Sequence, residues 1–379
     1  MTKKIAVDAR MYGLSHGGIG RYVKNLLKNL DQKELEITFL VREKALAEIK
    51  NDFKDKFEYQ IINARHYSLK EQLVLPFFFL KHDYDLVHFP HFNVPLLFFG
   101  KFVVTIHDLI KHQSRGVKTT TRSRFLYWLK YLFYRVVFSA TVKKAKQIIT
   151  PTEWVKQELA DFYPSLDLKK ITVVSEGVEA VFKEKISPEK RKQIVEKHHL
   201  TKPFLLYVGS VYPHKNVIQL VKAVRQLNQE GVEIMLAVVC SRNIFLNRLQ
   251  KQLKKLDCEQ FVKLLGFARD KELAGLYQAA AAFVTPSLME GFGLPGIEAM
   301  QVGCPVIAAD SSCFPEVYQE AAVYFDPHNL MQLKKRITTV LEDKKLKNEL
   351  INKGRNQAEE YDWKKTAAKT KQIYLEEAE

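Results

Sequence analysis

The chain has 379 residues, which at about 150 residues per domain predicts two domains or one large one. Hydrophobic residues make up 46% and charged residues 27%, a balance that excludes a disordered chain. A net charge of +16 makes anionic partners the expectation: phosphates, nucleotides, nucleic acid or an acidic membrane surface.

In chain order, Lys3 and Lys4 bring in charge too early for a signal peptide, so a cytosolic protein is expected. Residues 4–7 read as a strand. Glycines follow, and then Ile19, Tyr22, Val23, Leu26, Leu27 and Leu30 recur on one face of a helix over 19–30. Apolar runs at 73–80 and 96–99 read as loop stretches, and the longer is about half the ~18 residues needed to cross a bilayer. Further strands are expected at 86–89, 102–106, 147–150 and 171–174. The stretch 181–200, rich in Lys and Glu, reads as a linker. Beyond it the rhythm restarts with strand 204–208, helix 217–229, strand 234–239, helix 245–256 and strand 262–265. Helix 271–279, strand 282–285, helix 295–302 and strand 305–308 follow. From 326 the tail reads as helices, the last opening at Tyr361-Asp362-Trp363. This alternation means parallel sheets with helical crossovers, so the expected fold is α/β, with two doubly wound domains. The four cysteines, Cys240, Cys258, Cys304 and Cys313, form no Cys-x-x-Cys pair, which excludes a zinc ribbon and a disulfide scaffold.

Ligands of open parallel sheets bind beyond the carboxyl ends of the strands. In the first half those ends carry Asp8, Gly17-Gly18-Ile19-Gly20, Pro90-His91, His107-Asp108 and Ser175-Glu176-Gly177. In the second half they carry Gly209-Ser210, His214-Lys215-Asn216, Arg242, Gly266-Phe267, the run 286–293 and Asp310-Ser311-Ser312. Two such edges facing each other make one cleft at a domain interface, the usual place for a site.

The richest segment is Glu290-Gly291-Phe292-Gly293-Leu294-Pro295-Gly296-Ile297-Glu298. Pro295 suits the first turn of a helix, and the glycines before it leave backbone N–H groups to face an anion. Glu290 lies in the loop and Glu298 near the helix start, so two hydroxyl-accepting carboxylates bracket a phosphate-like seat. A sugar nucleotide has that form, and Lys215 supplies a point charge for its phosphates. Each feature also has a plainer reading. Glu298 stabilises a helix start by itself, and a Gly-Phe-Gly turn can simply join strand to helix. The Gly17–Gly20 loop lacks the Gly-x-Gly-x-x-Gly pattern, and a histidine such as His107 at a strand end is more often a satisfied core residue. The carboxylates show no metal-ligand spacing, so no metal is expected.

These residues resemble the retaining glycosyltransferases with the GT-B fold, known as family 4 or "group 1" glycosyltransferases. The carriers are Glu290-x7-Glu298 in 286–300, Gly303-Cys304-Pro305-Val306-Ile307-Ala308, and Tyr207-Val208-Gly209 with His214-Lys215-Asn216. In the first half they are Gly17-Gly18-Ile19-Gly20-Arg21-Tyr22 and Thr105-Ile106-His107-Asp108-Leu109. The resemblance implies an acceptor-binding domain over 1–180, a sugar-nucleotide-binding domain over 201–358, and a C-terminal helix, 359–379, crossing back to the first. It implies that Glu298 holds the nucleotide ribose, Glu290 faces the transferred sugar, and Lys215 neutralises the diphosphate leaving group. Backbone groups of Gly291, Phe292 and Gly293, with Leu294 opening the helix, touch the sugar and phosphate. His107 lies near the reacting carbon and Gly18 near the phosphates. Gly209, Ser210, Arg242 and Phe267, at the strand ends, complete the donor-binding set. No cofactor is implied beyond the GDP- or UDP-sugar co-substrate, and the leaving charge is stabilised without a metal. Two positions depart from the pattern. Ser210 stands where many relatives have Arg, with His214 or Arg242 to compensate, and Glu176 stands where relatives often have Asn.

Residues 101–150 hold eleven Lys and Arg against a single acid, Asp108. Within them, Arg124-Phe125-Leu126-Tyr127-Trp128-Leu129-Lys130-Tyr131-Leu132-Phe133-Tyr134-Arg135 mixes aromatics with cations. Such a segment suits the interface of an anionic membrane, joined by 73–80 and 96–99. It equally suits a core helix with a solvated basic rim, while single-stranded nucleic acid ranks third and no nucleic-acid fold motif is present.

The expected protein is thus a cytoplasmic glycosyltransferase, peripheral to the inner face of the membrane. It moves a hexose, with mannose and glucose the candidates, from a nucleotide sugar to a glycan or lipid-linked acceptor, as in cell-envelope polysaccharide synthesis. The alternatives are a sugar-nucleotide epimerase of the same fold and a catalytically silent membrane- or nucleic-acid-binding relative.

Overall fold

The computed structural model describes residues 2–13, 17–54, 56–113, 124–240 and 244–379. They form two units: described residues within 2–109, 124–177 and 363–379 make up one, and those within 110–113 and 178–362 the other.

The chain begins with β1 (Lys3–Asp8), α1 (Gly17–Asn29), β2 (Leu35–Val41), α2 (Glu43–Phe53), β3 (Glu58–Ile61), α3 (Leu69–Phe79), β4 (Leu86–Phe89) and β5 (Phe102–Thr105). After α4 (Ile110–Gln113) come α5 (Arg124–Lys144), β6 (Gln147–Thr150), α6 (Glu153–Phe162) and β7 (Ile171–Val173). The seven strands of the first unit are all parallel, in the order β3-β2-β1-β4-β5-β6-β7. In β1, Ile5 pairs with Ile37 of β2 and with Leu86 of β4. Strand side chains alternate between faces, so Ile5 and Val7 meet the buried stripe of α1, with Tyr22, Val23 and Leu26, while Ala6 joins Leu75 and Phe138 on the other face. That stripe is the one the helical spacing predicts.

The second unit runs through α7 (Pro188–Lys197), β8 (Phe204–Val208), α8 (Val217–Gln229), β9 (Met235–Val239), α9 (Ile244–Lys255), β10 (Val262–Gly266) and α10 (Asp270–Ala279). It continues with β11 (Ala282–Thr285), α11 (Leu294–Val302), β12 (Val306–Ala309), α12 (Phe314–Tyr318), β13 (Ala322–Phe325), α13 (Leu330–Glu342) and α14 (Lys344–Glu359). Its sheet is parallel, in the order β10-β9-β8-β11-β12-β13. The final helix, α15 (Trp363–Glu377), belongs to the first unit and packs on α1.

Three readings change. Residues 181–200 are part of the second unit: α7 buries Ile194 against Gly275 of α10, and its Lys and Glu form the outer face of an amphipathic turn of chain. Residues 73–80 are helical through 79, capped by Ser68, whose hydroxyl accepts from the Glu71 N–H. Strands β2, β3 and β13 add to those expected.

Each sheet reverses direction of growth once, between β1 and β4 in the first unit and between β8 and β11 in the second. At such switch points the crossover helices leave on opposite faces and open a crevice beyond the strand ends. The loops after β8 and β11 therefore define the site of the second unit.

Candidate functional site

The β8 loop contains a short turn, Pro213–Lys215, closed by Asn216 in the left-handed conformation. The Leu288 N–H donates to the His214 carbonyl at 2.8 Å, tying this loop to the one after β11. The tie places Lys215 Nζ 2.5 Å from Glu290 Oε1, with side chains 16% and 19% exposed. The Glu290 backbone N–H donates to Ser312 Oγ at 3.1 Å, and Ser311 Oγ donates to the Ser287 carbonyl at 2.8 Å, so the loop after β12 closes the third side. His214 lies alongside. Burial, and then the charge of Lys215, push its pKa down to about 4, so near pH 7 it is neutral. It therefore does not replace the cation missing at Ser210.

Gly293, at φ 86° and ψ 38°, turns the chain into α11, with Pro295 in the first turn. The Tyr318 hydroxyl donates to the Gly293 carbonyl at 2.6 Å. A Cβ on Gly296 would stand 2.3 Å from the same ring, so only glycine lets α12 approach this closely. The positive end of the α11 dipole thus points at the Glu290 loop from a fixed position. Glu298 is 1% exposed, and its Oε2 accepts from the Tyr277 hydroxyl at 3.2 Å. Phe292 is buried against the edge of Tyr361, with ring centroids 5.2 Å apart.

In the first unit, His107 follows β5. Its Nδ1 is 3.1 Å from Glu176 Oε1 and its Nε2 is 3.0 Å from the Pro90 carbonyl. Both neighbours are acceptors, so the two bonds need a proton on each ring nitrogen, or one on the Glu176 carboxyl. The edge of Tyr22 packs on the imidazole at a centroid distance of 4.7 Å. Gly18 is exposed in the first turn of α1. At the switch point, Asp8, His66 and Glu71 bring ligand-type atoms within 4.8 Å of one another. Arg10 already fills that place: its Nη2 lies 2.6 Å from Asp8 and 2.7 Å from Glu71. Burial pushes the Asp8 carboxyl up, but the guanidinium outweighs it and holds the carboxyl far below its usual range.

The structure thus joins Lys215 to Glu290 directly and sets Gly291, Phe292, Gly293, Leu294 and Glu298 on the adjoining loop and helix. Gly209 and Ser210 end β8, and the Ser210 carbonyl accepts from the buried Tyr207 hydroxyl at 2.6 Å. Phe267 lies in the separate loop after β10 and is 59% exposed. Arg242 lies outside the described residues. Sequence reasoning missed Tyr277 and Tyr318, which no local pattern marks, and missed Glu176 as the partner of His107.

Residues 188–357 match the family described as "Glycosyl transferases group 1", and residues 16–181 match "Glycosyltransferase Family 4". The O-antigen chain mannosyltransferase RfbU of Salmonella typhimurium is 30% identical over 245 residues, 64% of this chain and 61% of that protein, less than two thirds of its length. O-antigen chain mannosyltransferase B of Escherichia coli is 25% identical over 378 residues, 94% of this chain and 95% of that one. Among solved structures, a glycosyltransferase of Rickettsia africae superposes with a TM-score of 0.77 at 19% identity, covering 99% and 98% of the two chains. HepE of Anabaena, solved with UDP and glucose, superposes with a TM-score of 0.77 at 17% identity, covering 99% and 100%. With two parallel-sheet units of the GT-B kind and a family match in each half, the chain belongs to the group 1, family 4 glycosyltransferases.

Proposed function

We propose that the protein transfers a hexosyl residue, mannose foremost, from a GDP- or UDP-sugar to a glycan or lipid-linked acceptor, with retention at the anomeric carbon. The observation that carries this reading is the Lys215–Glu290 pair held against the start of α11. Lys215 and the helix dipole offer positive charge where a diphosphate departs, and Glu290 offers a carboxylate to sugar hydroxyls. As the diphosphate draws Lys215 to itself, Glu290 is released to the sugar. Glu298 takes the ribose side. The phosphate oxygen leaves on the face from which the acceptor arrives and takes its proton, which preserves configuration. Lys215 supplies the leaving-group charge, so the reaction proceeds in EDTA. The second unit is the donor side in this reading and the first unit the acceptor side. The O-antigen mannosyltransferase relatives support mannose and a glycan acceptor.

A thermal-shift panel of sugar nucleotides tests this. A ligand at about 100 times its Kd stabilises the native state by about 2.7 kcal/mol, so GDP-mannose or UDP-glucose should raise the melting temperature. A panel in which no sugar nucleotide does so would sink the proposal.

A further inference from the structure

The crevice at the switch point of the first unit holds buried polar groups that the fold does not pair. A cavity there is lined by the apolar Met11 and Ile19 and by the polar Asp8, His66, His91 and Asn93. Asn93 is 4% exposed, and its amide nitrogen donates to Glu71 Oε2. Its amide oxygen takes no hydrogen bond among the described residues. The His66 side chain is 10% exposed, and its Nε2 stands 3.6 Å from Asp8 Oδ2, beyond hydrogen-bond reach. Buried polar groups are ordinarily paired. Two such side chains around one cavity, each with bonding capacity to spare, call for a ligand that brings hydroxyl groups.

Tyr67, next in the chain to His66, sits at φ 62°, a left-handed backbone that a bulky residue adopts only where its surroundings impose it. Glu71 imposes it. Its Oε2 accepts from the Tyr67 N–H at 2.8 Å, and Arg10 anchors its other oxygen. The Tyr67 ring is thereby held 49% exposed and edge-on to His91, with centroids 5.6 Å apart and the hydroxyl 3.0 Å from His91 Nε2. An aromatic face beside hydrogen-bonding groups matches a pyranose, apolar across its C–H face and polar at its rim. Charge decides between a sugar and a phosphate. No lysine or arginine among the described residues lines the cavity, and Arg10 is committed to Asp8 and Glu71. The negative charge of Asp108 also reaches Tyr67. A phosphate here would meet carboxylates with no free cation to offset them, although the chain as a whole carries +16.

We propose that this crevice, on the transferase reading above, takes the acceptor by an uncharged sugar and not by a phosphate. Asn93 and His66 bond the sugar's hydroxyls, and Tyr67 covers its apolar face. Saturation-transfer NMR on the full chain at pH 7.5 tests this, with the methyl glycosides of mannose, glucose, galactose and N-acetylglucosamine as probes. At least one glycoside should bind, and geranyl phosphate, a phosphate acceptor without a sugar, should not displace it. His66→Ala and Tyr67→Ala should each weaken the glycoside about tenfold, on the order of one lost hydrogen bond. Both variants should keep the wild-type shift in melting temperature with sugar nucleotides, because Lys215 and Glu290 belong to the other unit. Absence of glycoside binding, displacement by geranyl phosphate, or wild-type affinity in both variants would overturn the proposal, while an intact nucleotide shift would still support the transferase reading.

Discussion

Lys215 and Glu290 are each other's counter-ion, and their partial burial makes the pair a competitor for any incoming phosphate. Glu290→Gln keeps the side-chain volume and removes that competition. A nucleoside diphosphate should then bind more tightly, by up to about tenfold, while turnover falls because the sugar loses its carboxylate. Titration calorimetry with the diphosphate reads the first effect and steady-state kinetics the second; weaker diphosphate binding would show that Lys215 does not serve the phosphates. Glu298 should behave differently. Buried and bonded to Tyr277, its loss in Glu298→Ala should chiefly raise the donor KM, with kcat changed much less. It also removes the carboxylate that accepts from the Tyr277 hydroxyl, so a melting curve should accompany the kinetics. A kcat effect larger than the KM effect would reverse the roles assigned to the two acids.

Helix α15 is held to the first sheet by a histidine that the fold keeps neutral. His88 is fully buried, with Nδ1 2.5 Å from the Tyr374 hydroxyl and Nε2 2.9 Å from Thr105 Oγ1. Burial, and then the neighbouring His107, push its pKa down from 6.5 to about 3. The unfolded chain takes up this proton as pH drops below 6.5, the folded one only near 3. The native state therefore loses stability as pH falls through that window, by up to about 1.4 kcal/mol per pH unit, and above it His88 adds no dependence. His214, depressed for a similar reason, contributes with the same sign in the second unit. Chemical denaturation of wild type and His88→Gln between about pH 5 and 7, where carboxylates barely titrate, isolates His88. The variant should show the shallower slope, and equal slopes would show that the buried imidazole accepts a proton without cost. None of this was legible in sequence, because His88 and Tyr374 lie 286 positions apart. What was legible was local: the α1 stripe, the strand ends with their small and chargeable residues, and Glu290-x7-Glu298 at a helix start. Glu290 and Lys215 were legible as candidates but not as a contact, since 75 residues separate them. The apolar run at 73–80 misled because its outward-facing leucines and phenylalanine mask the helical period that burial normally prints.

The whole chain enters the first unit, leaves it for the second, and returns at Trp363. The returning segment is no appendage. It puts Trp363, Ala367, Ile373 and Tyr374 into the core beside α1, each at most 5% exposed. Thr366 Oγ1 donates to the Ser175 carbonyl at 2.7 Å, and Lys3 Nζ to the Ala378 carbonyl at 3.0 Å. Ending the chain after Asp362 removes all of these, while Val178–Asp362 keeps its own sheet and its Lys215–Glu290 pair. Losing one buried large aromatic costs about 3–5 kcal/mol, and two approach the whole 5–15 kcal/mol stability typical of a domain. The truncated protein should therefore exchange the amide hydrogens of β1, β4 and β5 within the dead time of a hydrogen-exchange experiment. Those of β8, β11 and β12 should stay protected, and protection near α11 should still rise with nucleoside diphosphate. Adding a peptide of residues 363–379 should restore protection to β1 and β4, because its Trp363, Ala367, Ile373 and Tyr374 pack into that unit's core and Tyr374 meets His88 of β4. If β1 stays protected without the segment, the apolar burial along α15 is incidental. If β8 is lost along with β1, the second sheet draws its stability from the first and the two do not unfold as separate bodies.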